Sequence, residues 1–217
     1  MLKLENITFQ YAEGSQVSNY RFDLSVGAGE IAGLTGRSGS GKSTCLDIIT
    51  GFLSPGEGRI MVDGRDIALL APGRRPVTVL FQNNNLFDHL SAHENVALGI
   101  NPSLRLNKAE KITIDEALVR VGLDGLADNP AHQLSGGEQQ RVALARSLVA
   151  NRSVLLLDEP FNALDREVRQ QMLELVRGIV SDKNLATLMV THDINDCDKI
   201  ADKHYHLSNG EFHLTPG

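Results

Sequence analysis

Eight consecutive residues, Gly36-Arg37-Ser38-Gly39-Ser40-Gly41-Lys42-Ser43, restrict the fold more than any other part of this chain. They fit the pattern G-x-x-x-x-G-K-[ST] without a mismatch, and Thr44 follows. An apolar run, Ile31-Ala32-Gly33-Leu34-Thr35, comes before them, and a helix-compatible run, Cys45-Leu46-Asp47-Ile48-Ile49, comes after. Strand, glycine loop and helix, in that order, make a phosphate site. Glycines let the backbone curl so that its N–H groups point inward as a nest for anionic oxygens. A helix starting near Lys42 adds the positive end of its dipole. In this setting Lys42 reaches the β- and γ-phosphates of a nucleoside triphosphate, and the Ser43 hydroxyl ligates Mg²⁺. A glycine-rich turn without a ligand would leave the fit of both flanks unexplained.

Composition narrows the class. The chain has 217 residues, 41% hydrophobic and 22% charged, enough for one large domain, or one domain with an insertion, around a packed core. With 21 Lys and Arg against 27 Asp and Glu the net charge is −6, which speaks against a nucleic-acid partner, since such partners call for a basic footprint. Cys45 follows the glycine loop, where a disulfide would interfere, so Cys45 and Cys197 read as free thiols of a reducing compartment. No apolar run approaches the roughly 18 residues that span a bilayer, and Met1–Glu5 lacks the pattern of a signal peptide. Work at a membrane therefore needs another chain to cross it.

Along the chain, Leu2–Phe9 and Tyr20–Val26 alternate as strands. Phe9 and Tyr11, two residues apart, share a face; an aromatic here suits stacking on adenine or an ordinary half-buried strand position. Gly51 ends the helix after the loop. Arg59–Gly64 is a strand and its turn, and early strands without intervening helices predict an antiparallel sheet beside the nucleotide core. Val77–Phe81 is a strand with Gln82 at its carboxyl end, where ligands gather in open α/β sheets. Helical signals fill Ser91–Gly99 and Lys108–Val121, the second capped by Asn107 with Glu110. A second glycine-rich turn, Leu134-Ser135-Gly136-Gly137, precedes an amphipathic helix over Glu138–Ala150 and is an anion site by the same physics as the first. Ser153–Leu157 is a buried parallel strand ending in Asp158 and Glu159, a placement that suits Mg²⁺. A helix over Arg166–Val180, a strand over Leu185–Thr191 ending at His192, and a helix from Asp193 complete the pattern. Gln82, Asp158 and His192 thus all fall at carboxyl ends of strands. His204 and His206 alternate on a late strand without a third metal ligand nearby.

The phosphate loop, Gln82, Leu134-Ser135-Gly136-Gly137-Glu138-Gln139, Leu157-Asp158-Glu159-Pro160, Ala163-Leu164-Asp165 and Thr191-His192 occur in the order found in ABC transporter ATP-binding subunits, and essentially the whole chain resembles that family. The resemblance implies an α/β fold: a P-loop RecA-like core with an antiparallel β subdomain (residues 1–83 and 151–217) and a helical insertion (84–150). It implies ATP and Mg²⁺ as cofactors and a head-to-tail homodimer with two shared sites. In each site Gly36, Arg37, Ser38, Gly39, Ser40, Gly41, Lys42, Ser43 and Thr44 of one copy hold ATP, while Ser135, Gly136 and Gly137 of the other cover the γ-phosphate. Tyr11 resembles the aromatic that stacks on adenine. Ser43 and Gln82 resemble Mg²⁺-site residues, with Asp158 acting there through water. Glu159 resembles the general base that polarises the attacking water, His192 the switch residue at the γ-phosphate, and Asp165 the residue linking the two sites.

Three positions depart from the family pattern. Arg37 replaces a common proline outside the fixed motif, Asn162 stands where serine is usual, and Glu138 replaces a frequent glutamine. A finer resemblance concerns cargo. Arg74-Arg75-Pro76-Val77 with Phe81-Gln82 is similar to importers of polyamines, sulfate, iron and thiamine. Residues 84–90 and 98–107, and the end at Gly217 where others in that group carry a further β-strand domain, are similar to the ATPases of thiamine importers. The implied partners are an integral-membrane permease and, indirectly, a periplasmic solute-binding protein, with the chain peripheral on the cytoplasmic face of the inner membrane. An importer ATPase for another solute and an exporter ATPase are the nearer alternatives. A DNA-maintenance ATPase would need a long coiled coil between Gln82 and Ser135, and no extended heptads occur there. A P-loop kinase or GTPase leaves Leu134–Arg141 unexplained.

Overall fold

The computed structural model describes residues 1–13, 16–83 and 85–215. Ten strands form one sheet: β1 (Leu2–Glu13), β2 (Gln16–Val26), β3 (Ile31–Gly36), β4 (Glu57–Val62), β5 (Arg65–Asp66), β6 (Val77–Leu80), β7 (Val154–Asp158), β8 (Ala186–Val190), β9 (Lys203–Ser208) and β10 (Glu211–Thr215). Their spatial order is β5-β4-β1-β2-β10-β9-β3-β8-β7-β6. β1 pairs antiparallel with β2 and β4, whereas β3 pairs parallel with both β8 and β9, and β7 parallel with β8. The expected antiparallel sheet is thus a wing continuous with the parallel strands of the nucleotide core. Sequence pattern follows burial. β2 alternates, burying Phe22, Leu24 and Val26 between exposed Arg21 and Asp23, while β8 and the first four residues of β7 are buried throughout. Parallel strands covered on both faces read as continuous apolar runs for this reason.

Among the described residues there are six α-helices: α1 (Lys42–Thr50), α2 (Ala92–Ala97), α3 (Lys108–Arg120), α4 (Gly136–Val149), α5 (Arg166–Lys183) and α6 (Ile194–Ile200). Ser91, Asn107 and Ser135 each close a reciprocal capping box at the starts of α2, α3 and α4, with Glu94, Glu110 and Glu138 three residues on. α4 begins two residues earlier than its apolar period suggests. The cap is Ser135, so Gly136 and Gly137 belong to the first helical turn and not to the turn before it.

The chain divides into two compact units, one of residues 1–78, 153–159 and 176–217, the other of residues 79–152 and 160–175. The expected limits were 83/84 and 150/151; the segment 160–175 clusters with the second unit. Within that unit, Gln140, 2% exposed, donates its amide to the Pro160 carbonyl, which ties the start of this segment to α4. Asn95 on α2 is fully buried. Its side chain accepts the Phe87 N–H at 2.8 Å and donates to the carbonyls of Phe87, Leu90 and Ser91 at 3.0–3.2 Å. Arg146 of α4 donates to the Asn85 carbonyl at 2.8 Å. The loop 85–91 therefore has a defined shape without regular secondary structure, because the side chains of buried Asn95 and half-buried Arg146 satisfy part of its backbone.

In the first unit, Gly33 lies in the middle of β3 with α6 packed on it: a Cβ there would overlap Cys197 Sγ. Gly33→Val should therefore destabilise the chain by about 1–3 kcal/mol or more through overpacking. Gly33→Ala should cost less in a Cys197→Gly background than alone, as checked by urea unfolding of the four chains of the cycle.

Candidate functional site

The first unit builds a phosphate cradle from the bottom up. β3 is a buried apolar strand that ends in Gly36, and α1 begins six residues on. Gly41, the N-cap, has φ 111°, which only glycine adopts readily, and a side chain there would overlap the Tyr20 ring. Lys42 is 9% exposed, and its ammonium turns back to donate to the Gly36 and Arg37 carbonyls at 2.8 and 3.1 Å. Arg37, Ser38, Gly39 and Ser43 are exposed, Ser40 is half-buried, and Thr44 is buried. Gly36, Ser38, Gly39 and Gly41 to Thr44 border a cavity of about 530 Å³ whose other walls are Tyr20, Asp158, Glu159, Val190 and His192. The structure thus brings Lys42, Ser43, Asp158, Glu159 and His192 to one place.

The acids arrive there because β7 and β8 are parallel neighbours in register, Asp158 opposite Val190. Burial pushes the Asp158 carboxyl above its ordinary range, and the negative charges of Glu159 and Asp47 push it the same way against Lys42. Glu159 adopts φ 46°, an uncommon left-handed backbone for a side-chain-bearing residue, and is held there by its N–H on the Val190 carbonyl at 2.9 Å. Its carboxylate lies 3.5 Å from His192 Nδ1. Thr191, 2% exposed, fixes the chain just before His192: its N–H donates to Leu34 O at 3.1 Å, and its hydroxyl accepts the Asp193 N–H at 3.1 Å. A half-buried carboxylate with too little positive charge around it, beside an exposed serine hydroxyl, fits a divalent cation.

Tyr11 forms an edge-to-face contact with Tyr20, centroids 6.1 Å apart, and its hydroxyl lies 3.3 Å from Thr44 Oγ1. Tyr20, rather than Tyr11, lines the phosphate cavity. The sequence reading missed Tyr20; the signal was its place opposite Phe9 across the β1–β2 ladder, on the face that Phe9 and Tyr11 share. It also missed Asp47, whose charge raises Asp158 and whose own carboxyl is pushed up by burial. His204 Nε2 and His206 Nδ1 share the Thr35 hydroxyl at 2.9 and 3.2 Å, and among the described residues no group of three metal-ligating side chains occurs.

The second unit carries its own cavity, about 520 Å³, lined by Ser135, Gly136, Gly137, Glu138, Arg141 and Asp165 among others. Ser135 and Gly136 are exposed at the N-terminus of α4. The Ser135 N–H and hydroxyl both donate to Glu138 Oε2 at 2.8 Å, which holds the Glu138 carboxyl below its usual range. Glu138 is thus a capping residue, and exposed Gly136 and half-buried Gly137 line the cavity at the positive end of α4. Asp165 Oδ1 accepts the N–H groups of Glu167 and Val168 at 3.1 and 3.0 Å at the start of α5. Gln82 is exposed, just past the end of β6 in this unit.

The model of the ABC transporter family matches residues 20–162. The thiamine import ATP-binding protein ThiQ of Chelativorans sp. (strain BNC1) is 44% identical over 210 residues, 97% of this chain and 84% of that protein. Its counterpart of the same name in Salmonella typhimurium (strain LT2) is 45% identical over 97% of this chain and 88% of that one. Among solved structures, the dimeric bacterial ABC transporter cassette MJ0796 superposes with a TM-score of 0.83 at 32% identity over the full length of both chains, and a post-hydrolysis dimer of that cassette contains ADP and Pi. The fold alone is shared with the ATP-binding cassette MJ1267 in its ADP conformation, TM-score 0.90 at 24% identity over 100% of this chain and 91% of that one. By family match, by identity along nearly its whole length and by fold, the chain belongs to the ABC transporter family.

Proposed function

We propose that this chain is the ATPase that powers thiamine import through a separate membrane permease. The observation that carries the ATPase part is the convergence of Lys42, Asp158, Glu159 and His192 on one cavity, at the ends of neighbouring parallel strands. The cargo part is supported by the likeness to thiamine import ATP-binding proteins over nearly the whole chain. Lys42 exchanges its two loop carbonyls for phosphate oxygens, a stronger, charge-assisted contact. Ser43 and Asp158 are the residues of the first unit that would hold Mg²⁺, which neutralises phosphate charge when bound. Glu159 accepts the proton of the attacking water, and His192, 3.5 Å from its carboxylate, orients that base and acts as the switch residue for the γ-phosphate. Tyr11, with Tyr20 beside it, offers the aromatic surface for adenine.

The exposed Ser135 and Gly136, with Gly137, serve the γ-phosphate of a second copy, and Asp165 links the two sites of the homodimer. No helix among the described residues is long and apolar enough to cross a membrane, so transport requires a permease. The chain sits peripherally on the cytoplasmic face of the inner membrane, with the loop 85–91 and its exposed Phe87 as the docking surface, and a periplasmic binding protein delivers the solute.

Glu159→Gln should reduce hydrolysis by about 10²–10⁴-fold while leaving ATP binding intact, so that an ATP-loaded dimer accumulates on size-exclusion chromatography. Normal turnover in that variant would remove Glu159 from the reaction. Asp158→Asn should also stop hydrolysis, yet stabilise the nucleotide-free chain at pH 7. The folded-state pKa of Asp158 lies above its unfolded value. The folded state therefore binds the extra proton between the two, and stability falls as pH rises through that window. The gain from asparagine, on the order of 1 kcal/mol or about 2–4 °C in Tm, should be full above the window and vanish below the ordinary carboxylate range. Thermal unfolding of both chains across pH reads this directly. Deleting the gene should abolish high-affinity uptake of labelled thiamine and spare polyamine and sulfate uptake; loss of a different solute would overturn the cargo while leaving the ATPase in place.

A further inference from the structure

Arg75 is the most deeply buried cation described in the first unit, 2% exposed, and the chemistry assigned above makes no use of it. Its guanidinium spends four bonds on backbone carbonyls rather than on a carboxylate. Nη1 donates to Ile48 O and Ile49 O at 2.7 and 2.8 Å, Nη2 to Ala68 O at 2.8 Å, and Nε to Leu70 O at 2.9 Å. Ile48 and Ile49 belong to the last turn of α1, where carbonyls lack helical partners. Of the carbonyls just before them, Leu46 O already accepts the Thr50 hydroxyl and Asp47 O the N–H groups of Gly51 and Leu53. The guanidinium lies against the C-cap, where a Cβ on Gly51 would come within 2.6 Å of Nε. Arg75 therefore bolts the carboxyl end of α1 to the loop 68–70 through a planar fork that lysine cannot reproduce.

The two ends of this link differ in kind. At the amino end of α1 stands Lys42, which must release two loop carbonyls when a phosphate enters. At the far end, Leu69 is fully exposed, Phe52 is 67% exposed and Leu70 40% exposed. A nine-residue helix is a stiff rod of about 13 Å, and nothing in a hydrogen-bonded fork allows the loop to slide on it. We propose that Arg75 is a positioning residue: a strut that makes α1 and the apolar tip Phe52, Leu69 and Leu70 one piece, so that phosphate binding at Lys42 is registered at that tip. The proposal rests on nucleotide binding to the Lys42 loop and not on the identity of the cargo.

The test uses the full chain with Leu69→Cys labelled by an environment-sensitive dye; Cys45 and Cys197 are 0% and 2% exposed and leave position 69 as the reactive thiol. Titration with the non-hydrolysable analogue adenylyl imidodiphosphate and Mg²⁺ should change the emission with a midpoint equal to the Kd from calorimetry. Arg75→Met should keep that Kd within about threefold and lose the emission change by about fivefold or more. Arg75→Lys, with one ammonium for four carbonyls, should fall between, and carries the test alone if the methionine variant does not fold. An unchanged amplitude in either folded variant at equal Kd overturns the strut. So does a dye that ignores a nucleotide that calorimetry shows to be bound. A parent chain that binds no nucleotide by calorimetry overturns the ATPase reading along with it.

Discussion

The bonds from the Lys42 ammonium to the Gly36 and Arg37 carbonyls set the terms for everything around the cradle. They tie the two ends of the loop together, and they keep a buried positive charge satisfied until an anion arrives. That arrangement needs a strand that stops at Gly36 and a helix that starts at Lys42, both packed so tightly that their ends cannot drift. The continuous burial of β3, β7 and β8 supplies the first condition, and the buried face of α1 supplies the second.

Around that cradle the chain tolerates features that a purely structural core would avoid. Asp158 is a half-buried acid with other acids nearby, and Glu159 sits in a backbone region that favours glycine. Both cost stability, and both lie where the two acids and His192 face the same cavity. The second unit shows a milder version of this economy: the Ser135–Glu138 box satisfies the cap, and the neighbouring Gly136 remains exposed.

Much of this was readable in the sequence because the signals are local. The phosphate loop, the capping box at Asn107 and the buried runs of β7 and β8 each depend on residues within one turn or one strand. Contacts between distant segments were not readable. Tyr20 reaches the cavity through the β1–β2 register, and Asp47 acts on Asp158 across more than a hundred residues of chain. Arg75 looks in sequence like one of two exposed arginines in a proline-rich loop, and only the fold shows that it is buried under the end of α1 while Arg74 is not. Charged residues whose partners are main-chain carbonyls leave no pattern of complementary residue types to find.

The buried amide of Asn95 has a consequence for how this molecule can change. It fixes the path of residues 87–91 through main-chain bonds alone, so the shape of that loop is independent of the side chains the loop displays. Phe87, Asp88 and His89 are exposed and can be exchanged without refolding the segment that carries them. Geometry and surface chemistry are thereby inherited separately. A lineage could re-tailor the displayed residues to a diverging counterpart step by step, each intermediate still folded, whereas a single loss at Asn95 would discard the platform itself.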